Sequence, residues 1–387
     1  MKIIADESMP LVKELFSQYG KIVKCEGRGI SADKLKDADV LLVRSITKIT
    51  KELLEDYSVS FVGTATIGLD HMDTNWLEQQ NITYANAPGC NAIAVAEYVL
   101  SGLFVMAEKY SIDLRTSKVG IIGAGNVGSA VAHRLDILGI PYGLFDPPLK
   151  AAGDKRAMIN KKELEECEFI TIHVPFTTSD ESQWPTDSMV DKRFFNKMQR
   201  MKYLINTARG HVVDGSALKD WLNSNEQHQA ILDVWENEPF IDKELVEKCI
   251  LSTPHIAGHT REGKLRGTLM LYHAFCKHFD FEDTLDDDEQ LTRDLPKDKI
   301  HLFPEQSFME AMSSAIWSAY DIRDDDKALR GGLSKNIPKH FDRLRKGYKV
   351  RREFTAHRLD PVSLPDGSRR TLIELGFKTS NVQDSRN

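Results

Sequence analysis

Short runs of apolar and β-branched residues alternate along this chain with longer segments whose composition is typical of helices. The first five runs lie at residues 2–5, 21–25, 40–43, 60–62 and 82–85. A second series lies at residues 118–122, 142–145, 169–174, 203–206, 230–234 and 250–252. Strands that alternate with helices favour parallel sheets, so the two series predict an α/β protein with two parallel sheets.

Two longer segments lack this strand pattern and predict long helices. Residues 92–110 are rich in Ala, Val, Leu and Glu and lie between the two series, so we expect a helix that joins two domains. Residues 261–279 predict a second long helix that returns the chain to the first domain. The acidic residues 281–291 are interpreted as a linker, and the polar residues after about 295 show no clear strand pattern.

Charge and cysteine content exclude several functions. The 387 residues include 51 Lys and Arg against 58 Asp and Glu, without a concentrated basic surface, so we expect no nucleic-acid partner. No apolar run approaches the roughly 18 residues that span a bilayer, and the chain opens on a strand, so we expect a cytoplasmic protein without a membrane partner. The cysteines show no C-x-x-C spacing and are expected to be reduced: Cys25, Cys90, Cys167, Cys249 and Cys276.

A glycine-rich turn is the first candidate for chemistry. Residues 123–128 read Gly-Ala-Gly-Asn-Val-Gly between a strand and a helix. In such a turn Gly123 permits the tight bend, Gly125 lets backbone N–H groups approach a pyrophosphate, and Gly128 permits close helix–strand packing. Asp146 ends the next strand, where a carboxylate can bind both ribose hydroxyls of a dinucleotide. Asp146 could equally be a turn residue before two prolines, and a methyltransferase can use a similar turn and acid.

Three residues that follow later strands suit the chemistry of alcohol oxidation. Arg209, Glu238 and His255 come after the fourth, fifth and sixth strands of the second series, and neighbouring parallel strands end at one crevice. His255 would accept the hydroxyl proton, Glu238 would orient that histidine, and Arg209 would bind a substrate carboxylate through two N–H groups. Taken singly, each has a structural alternative: an interdomain ion pair for Arg209, a surface position for Glu238 and a hydrogen-bonded core site for His255.

These motifs together resemble the D-2-hydroxyacid dehydrogenase family. The resemblance lies in residues 206–210, 233–239 and 254–258, placed after the glycine turn, and it covers about residues 1–285. It implies an oxidoreductase that transfers a hydride from C2 of a 2-hydroxy acid to NAD. We expect NAD rather than NADP, because Asp146 would repel a 2′-phosphate and only Pro147 and Pro148, not an Arg, come immediately after it.

The resemblance also implies a domain organisation. The expected domains are a discontinuous, flavodoxin-like substrate-binding domain (1–92 plus 257–285), a doubly wound Rossmann domain for NAD (93–256) and a small C-terminal α+β dimerisation domain (286–387). In the last of these, the apolar stretches 308–317 and 371–377 are too sparse for an independent core. We therefore expect a homodimer in which a second copy of the chain covers them.

Carried over by position, the resemblance assigns a role to each matching residue. The catalytic residues are Arg209, Glu238 and His255. Contacts with NAD are assigned to Gly123, Gly125, Asn126, Val127, Gly128, Asp146, Thr207, Ala208, Asp233 and Gly258. Contacts with substrate are assigned to Ser45 and Thr66, which each follow a strand of the first series, and to His259. The family often has Tyr at the last position, and an imidazole is shorter and titratable, so His259 departs from the pattern.

Further runs narrow the resemblance to one branch of the family, which serves vitamin B6 synthesis. They are residues 5–10, 43–48, 63–71 and 88–91. The branch implies a phosphorylated four-carbon hydroxy acid, held at its far end by the first domain, where Arg44 and Lys48 flank Ser45. Family members that oxidise phosphoglycerate or glycerate remain alternatives, as does an NAD-sensing protein without turnover. No spacing of histidines and carboxylates suggests a metal site.

Overall fold

The chain folds into two compact units, as seen in a computed structural model. The residues that the structure describes are 1–296, 298–334 and 336–379. The first unit contains Met1–Asn91 and Thr260–Asp294, and the second contains Ala92–His259 with the residues that follow from Leu295. The first unit is thus discontinuous in sequence, and the division of the chain into three domains stays a prediction.

Strands and helices alternate in both units. The strands are β1 (Lys2–Asp6), β2 (Lys21–Cys25), β3 (Val40–Val43), β4 (Phe61–Thr64), β5 (Thr83–Ala85), β6 (Val119–Ile122), β7 (Tyr142–Phe145), β8 (Phe169–Ile172), β9 (Tyr203–Asn206), β10 (Gln229–Leu232), β11 (Leu251–Ser252), β12 (Lys299–Ile300), β13 (Arg358–Leu359) and β14 (Lys378–Thr379). The α-helices are α1 (Val12–Phe16), α2 (Lys51–Leu54), α3 (Thr74–Gln79), α4 (Ala92–Tyr110), α5 (Asn126–Leu138), α6 (Pro147–Ala151), α7 (Lys161–Glu165), α8 (Lys192–Lys197), α9 (Gly215–Ser224), α10 (Lys243–Lys248), α11 (Arg261–Phe279), α12 (Asp287–Thr292), α13 (Phe308–Ala319), α14 (Ile322–Arg330), α15 (Ile337–Lys346) and α16 (Ser368–Glu374). Short 3-10 helices lie at Gly27–Gly29, Ala32–Leu35, Gly210–Val212 and Phe354–Ala356. Within the described ranges, no helix is long and apolar enough to span a membrane.

The sheet of the first unit has five parallel strands in the order β2-β1-β3-β4-β5. Every residue of β3 and β4 is buried, which explains why these strands stand out in the sequence as continuous apolar runs. Helix α11 packs on β4, where Phe275 meets Phe61 edge to face with 6.1 Å between the ring centroids. This strand order is that of flavodoxin-like domains, which the family resemblance implied for this part of the chain.

The interpretation of residues 281–291 as a linker is wrong. Phe281 stacks on Tyr19 of the first unit, with 4.5 Å between ring centroids and 22° between ring planes. His273 of α11 pairs with Asp287, the first residue of α12, at 2.9 Å. The acidic composition suggested a solvated linker. Instead, the ring of Phe281 and the carboxylate of Asp287 contact residues of the first unit.

The larger sheet lies in the second unit and is also fully parallel, in the order β11-β10-β9-β8-β6-β7. The direction of winding reverses between β6 and β8, and in doubly wound sheets the crevice at such a point binds the cofactor. Helix α4 is buried along most of its length and packs against α5. The Rossmann-type arrangement that the glycine turn predicted is therefore confirmed.

Residues 295–379, called the C-terminal segment below, belong to this same unit. Strands β12, β13 and β14 form a parallel sheet of two-residue strands, too short to leave a periodic pattern, so they were missed in the sequence. Met312, Ile316, Leu372 and Phe377 are buried in one core with α4. The chain therefore buries part of these apolar stretches itself, while Ile373 stays 45% exposed, so their contact with a second copy of the chain stays a prediction.

Because the C-terminal segment shares a core with α4, we expect Met312→Ala to destabilise the whole second unit. Deletion of a buried Met side chain typically costs about 2–5 kcal/mol of unfolding free energy. Val362→Ala is the matched control, because Val362 is 85% exposed and its loss should cost less than about 0.5 kcal/mol. Urea titration measures both variants, and an unchanged midpoint for Met312→Ala would contradict the shared core.

Candidate active site

The glycine turn combines two packed glycines with one that faces open space. A Cβ at Gly123, whose φ is 93°, would lie 2.5 Å from a backbone oxygen, and one at Gly128 would lie 1.9 Å from the oxygen of Gly123. A Cβ at Gly125, the N-cap of α5, would meet no atom within 4 Å. Asn126 is exposed and Val127 packs on the core around α4. The turn therefore presents a helix N-terminus with free space beside it, which suits a phosphate group.

Asp146 joins the glycine turn to the neighbouring strand. It follows β7, and its Oδ2 atom accepts a hydrogen bond of 2.8 Å from the backbone N–H of Ala124. Its Oδ1 atom accepts one of 3.0 Å from Leu149 N–H, which makes Asp146 the N-cap of α6. Asp146 is therefore a capping residue before the prolines, and its carboxylate also lies beside the turn. Its contact with ribose stays a prediction.

His173 lies at this site, although the sequence analysis gave it no role. It follows β8, across the reversal point from the turn, and its carbonyl oxygen is the atom that would lie 2.5 Å from a Cβ at Gly123. Its ring nitrogens lie 2.8 Å from Thr171 Oγ1 and 3.1 Å from Thr207 Oγ1. Desolvation lowers the pKa of His173 to about 3, so the ring is neutral near pH 7. In the described part of the chain, no group of three or more His, Cys, Asp and Glu is arranged to hold a metal ion.

Arg209 lies on the turn after β9. Asn206 braces this turn, because its Oδ1 accepts from Ala208 N–H at 3.0 Å and its Nδ2 donates to the carbonyl of Arg209 at 3.1 Å. Gly210 allows the turn to approach the next strand end, since a Cβ there would lie 2.0 Å from the backbone of Trp235. Arg209 is partly exposed, and its Nη1 donates to the carbonyl of Ala208 at 3.0 Å. The guanidinium is thus held at the strand end and remains accessible.

Asp233, which follows β10, is the buried centre of the site. Only 1% of it is exposed, and its Oδ1 accepts hydrogen bonds from Thr253 Oγ1 at 2.6 Å and Ile256 N–H at 2.8 Å. Its Oδ2 accepts from Ala257 N–H at 2.9 Å, and its carbonyl accepts from His255 N–H at 2.7 Å. Burial raises the pKa of Asp233, opposed by His255 and these hydrogen bonds. One residue therefore fixes the loop that carries His255, while its contact with NAD stays a prediction.

The structure brings Glu238 and His255 together. Glu238 Oε2 lies 2.7 Å from His255 Nδ1, and Glu238 Oε1 accepts from Trp235 N–H at 2.9 Å. Burial disfavours the ionised carboxylate, but His255 and the Trp235 amide outweigh it and lower the pKa of Glu238. An ionised carboxylate only accepts hydrogen bonds, so Nδ1 carries the proton and Nε2 is left for proton exchange. The His255 side chain is 34% exposed, which leaves room for a reactant.

Gly258 and His259 follow this loop. The backbone N–H of His259 donates to the carbonyl of Ile256 at 2.8 Å. The imidazole of His259 lies against Tyr348 of the C-terminal segment, with 5.9 Å between ring centroids. The residue that departs from the family pattern therefore packs on an aromatic ring from the C-terminal segment.

In the first unit, Ser45 follows β3 and Thr66 follows the paired strand β4, so both lie at the carboxyl edge of that sheet. Ser45 is exposed, and Thr66 Oγ1 lies 2.8 Å from Thr64 Oγ1. Beside Ser45, Arg44 Nε donates to the buried carboxylate of Asp6 at 3.1 Å. This edge therefore carries two hydroxyls and an anchored cation.

Known proteins resemble this chain over the NAD domain and over its whole length. The family model described as "D-isomer specific 2-hydroxyacid dehydrogenase, NAD binding domain" matches residues 91–257, and one described as "Domain of unknown function (DUF3410)" matches residues 302–376. Erythronate-4-phosphate dehydrogenase of Tolumonas auensis is 41% identical over 98% of this chain and 100% of its own. The protein of the same name from Shewanella loihica is 42% identical over 97% and 99%. The solved structure of NAD-dependent formate dehydrogenase from Staphylococcus aureus in complex with NAD has a TM-score of 0.57 and 25% identity, covering 74% of this chain and 98% of its own.

The chain belongs to the D-isomer-specific 2-hydroxyacid dehydrogenase family, whose NAD-binding domain it carries in its second unit. It is therefore an NAD-dependent oxidoreductase. Within the family, the two near full-length relatives given above are both erythronate-4-phosphate dehydrogenases. The resemblance read from the sequence, including its narrower branch, is confirmed, and so is NAD as the cofactor.

Two glycine substitutions separate cofactor contact from packing. We expect Gly125→Ala to keep the melting temperature nearly unchanged and to weaken NADH binding about tenfold, because the methyl group would occupy the space at the helix N-terminus. Gly128→Ala is expected to lower the melting temperature, because its Cβ would lie 1.9 Å from the oxygen of Gly123. Thermal denaturation and fluorescence titration with NADH measure both effects. Full NADH affinity in Gly125→Ala would show that the cofactor does not approach that glycine.

Proposed function

We propose that this protein oxidises 4-phospho-D-erythronate at C2 with NAD. The product is (R)-3-hydroxy-2-oxo-4-phosphooxybutanoate, a step in the synthesis of pyridoxine 5′-phosphate. The observation that carries this proposal is the 41% identity to the Tolumonas auensis erythronate-4-phosphate dehydrogenase over nearly the whole of both chains. The imidazole–carboxylate pair of the second unit supplies the base that such an oxidation needs.

The residues of the second unit fit NAD. The space beside Gly125 lies at the N-terminus of α5, where backbone N–H groups bind phosphate, and the carboxylate of Asp146 lies next to the same turn. Bound NAD supplies the acceptor for the hydride. The remaining contacts are proposed for Gly123, Asn126, Val127, Gly128, Thr207, Ala208, Asp233 and Gly258.

Three side chains of the second unit would perform the proton transfer and bind the carboxylate. His255 Nε2 takes the proton of the C2 hydroxyl as the hydride leaves, since Nδ1 is engaged by Glu238. Glu238 orients the ring and stabilises the imidazolium that forms. Arg209, held on its turn by Asn206, binds the substrate carboxylate and thereby aligns C2. Ser45, Thr66 and His259 are the further substrate contacts that we propose.

The phosphate of the substrate would bind in the first unit, beside Ser45. Arg44 is anchored through its Nε atom to the buried Asp6. Burial, together with the charge of Arg44, lowers the pKa of Lys264 of α11, so two cations act on one region. A phosphate dianion would neutralise such a pair, which supports a phosphorylated substrate over its unphosphorylated analogue.

A substrate panel tests the proposal directly. NAD is offered with 4-phospho-D-erythronate, 3-phosphoglycerate, D-glycerate and D-lactate, and NADH formation is followed. We expect the highest kcat/KM for 4-phospho-D-erythronate. Preference for phosphoglycerate or glycerate would place the enzyme elsewhere in its family, and NADH binding without turnover of any acid would favour a sensor.

Ser45→Ala tests the substrate contact. We expect it to raise KM for 4-phospho-D-erythronate more than for D-erythronate, because the exposed hydroxyl follows directly after the anchored Arg44. Ser60→Ala is the matched control. Ser60 precedes β4 and therefore lies at the amino ends of the strands, away from Ser45, where its hydroxyl donates to the carbonyl of Asp39. Steady-state kinetics with both acids decide the matter. Equal effects on the two acids would remove Ser45 from the phosphate site.

Glu238→Gln tests the proton path through its pH dependence. Loss of the carboxylate removes the acceptor that stabilises the imidazolium of His255. Oxidation should then keep its remaining activity to lower pH, and the reverse reduction, which needs the imidazolium, should fade at a lower pH. His255→Ala should lower kcat by roughly 10²–10⁴.

The measurement for this path is kcat/KM against pH in both directions. Glu236→Gln is the matched control, because it removes the same charge from the same loop without removing the hydrogen-bond partner of His255. If both profiles of Glu238→Gln coincide with those of the parent, or if His255→Ala turns over normally, the assigned proton path is wrong.

A homodimer is the proposed assembly. Among the described residues, four large apolar side chains of the region 302–376 remain exposed: Phe303 (68%), Val350 (77%), Val362 (85%) and Ile373 (45%). Exposed apolar surface of this kind favours association with a second copy of the chain. Sedimentation equilibrium of the full chain should give twice the chain mass, and a monomer at micromolar concentration would contradict the proposal.

The cytoplasm is the proposed location. All five cysteines are buried free thiols, as expected for a protein kept in a reducing compartment. Cell fractionation should recover the dehydrogenase activity in the cytosolic fraction, and its recovery in an oxidising compartment would contradict this location.

A further inference from the structure

The strand that leads to His255 is held from outside by the C-terminal segment. Strand β11 lies at the edge of its sheet, where one row of backbone groups has no strand partner. Asp326 of α14 accepts a hydrogen bond of 2.7 Å from Ser252 N–H on this strand. Arg330 of the same helix donates to the carbonyl of Cys249 at 2.8 Å and binds Asp326 through Nε at 2.8 and 2.9 Å. The Asp326–Arg330 ion pair of the C-terminal segment therefore supplies hydrogen bonds to the backbone at this edge, as a neighbouring strand would.

A second contact holds the chain after His255. Arg351 is 3% exposed, and its Nη1 donates to the carbonyl of Ala257 at 3.0 Å. Its Nη2 donates to the carbonyl of Ala94 on α4 at 2.7 Å, and its guanidinium lies 3.6 Å from the ring centroid of Tyr320. The chain is thus tied to the C-terminal segment both before and after His255.

We propose that the C-terminal segment is a clamp that positions His255 for proton transfer. Asp326, Arg330 and Arg351 are its positioning residues; none of them reacts. The proposal gives a catalytic purpose to a region that its family describes only as a domain of unknown function, and it rests on the proposed role of His255. A displacement of about 1 Å between reacting groups can cost up to roughly 10²-fold in rate, so holding both ends of this loop affects catalysis as well as stability.

The clamp and the cofactor turn lie on different strands, which gives the proposal a kinetic signature. The clamp acts on β11, whereas the glycine turn follows β6, with β10, β9 and β8 between them in the sheet. Loosening the clamp at β11, before His255, should therefore slow the proton-coupled step and leave the binding of NADH at the glycine turn intact. Loss of a contact that serves stability alone would lower the melting temperature without slowing the proton-coupled step.

The test compares two arginines of α14. Arg330→Met removes the contact with the carbonyl of Cys249. Arg323→Met is the matched control. Arg323 binds Asp321 at 2.8 Å and Glu108 at 3.0 Å, and neither partner belongs to β11 or to the loop that carries His255. Single-turnover formation of NADH is measured at saturating NAD and 4-phospho-D-erythronate, together with the Kd for NADH. We expect Arg330→Met to slow the single turnover about 10–100-fold with the Kd for NADH within about twofold of the parent. Arg323→Met should keep the parent rate.

The double variant with His255→Ala separates this proposal from the proposed function. If His255→Ala loses turnover and the added Arg330→Met slows it less than about twofold further, the clamp acts through His255. Arg351→Lys is the second variant; it keeps the buried charge but loses the two-point contact with Ala257 and Ala94, and it should also slow the single turnover. Because Ala257 precedes the proposed NAD contact Gly258, only Arg330→Met is expected to leave the Kd for NADH unchanged. The clamp is overturned if Arg330→Met and Arg351→Lys both keep the parent rate. It is also overturned if Arg330→Met slows the His255→Ala variant by the same factor as it slows the parent. Normal turnover by His255→Ala would overturn the proton path itself.

Discussion

A carboxylate buried away from water must find hydrogen-bond donors, and the geometry of the active site follows from where Asp233 finds them. The donors are the Thr253 hydroxyl and the N–H groups of Ile256 and Ala257, all on the chain after β11. To supply these three donors, residues 253–257 must curve around the carboxylate, and His255 lies within this curved segment. Its φ of 55° is a conformation that residues other than glycine rarely adopt, so these bonds also hold a strained backbone in place.

The parallel sheet of the second unit separates two tasks along its carboxyl edge. At the reversal point, the glycine turn after β6 lies beside the neutral imidazole of His173 after β8, and the N-terminus of α5 can attract a phosphate there. Toward the other edge, the loops after β10 and β11 place Glu238 against His255. Arg209 lies between the two regions, because it follows β9, which stands between β8 and β10 in the sheet. The glycine turn and the Glu238–His255 pair can therefore be altered separately.

The sequence predicted those parts of the structure that depend on local pattern. Buried parallel strands are apolar on both faces, so β3 and β9 were located to the residue. The edge strands β2 and β7 and the helices α4 and α11 were also located to the residue. The catalytic candidates could be chosen because each follows a strand of one sheet. The missing parts depend on contacts between distant segments: the donors around Asp233, the burial of Met312 against α4 and the packing of Phe281 on Tyr19. His173 could have been found from its strand end, by the same argument that selected Arg209.

The central claim is that the carboxylate of Asp233 holds His255 in its reactive position, and Asp233→Asn tests it most directly. The amide keeps the shape of the side chain, but its NH2 group would face a donor, either Ala257 N–H or the pair of Thr253 and Ile256. The measurement is kcat at saturating NAD and 4-phospho-D-erythronate. The account predicts a fall of about 10²-fold or more, because the loop that carries His255 is released. A normal kcat with only a weaker affinity for NAD would show that Asp233 serves the cofactor alone and would contradict this account.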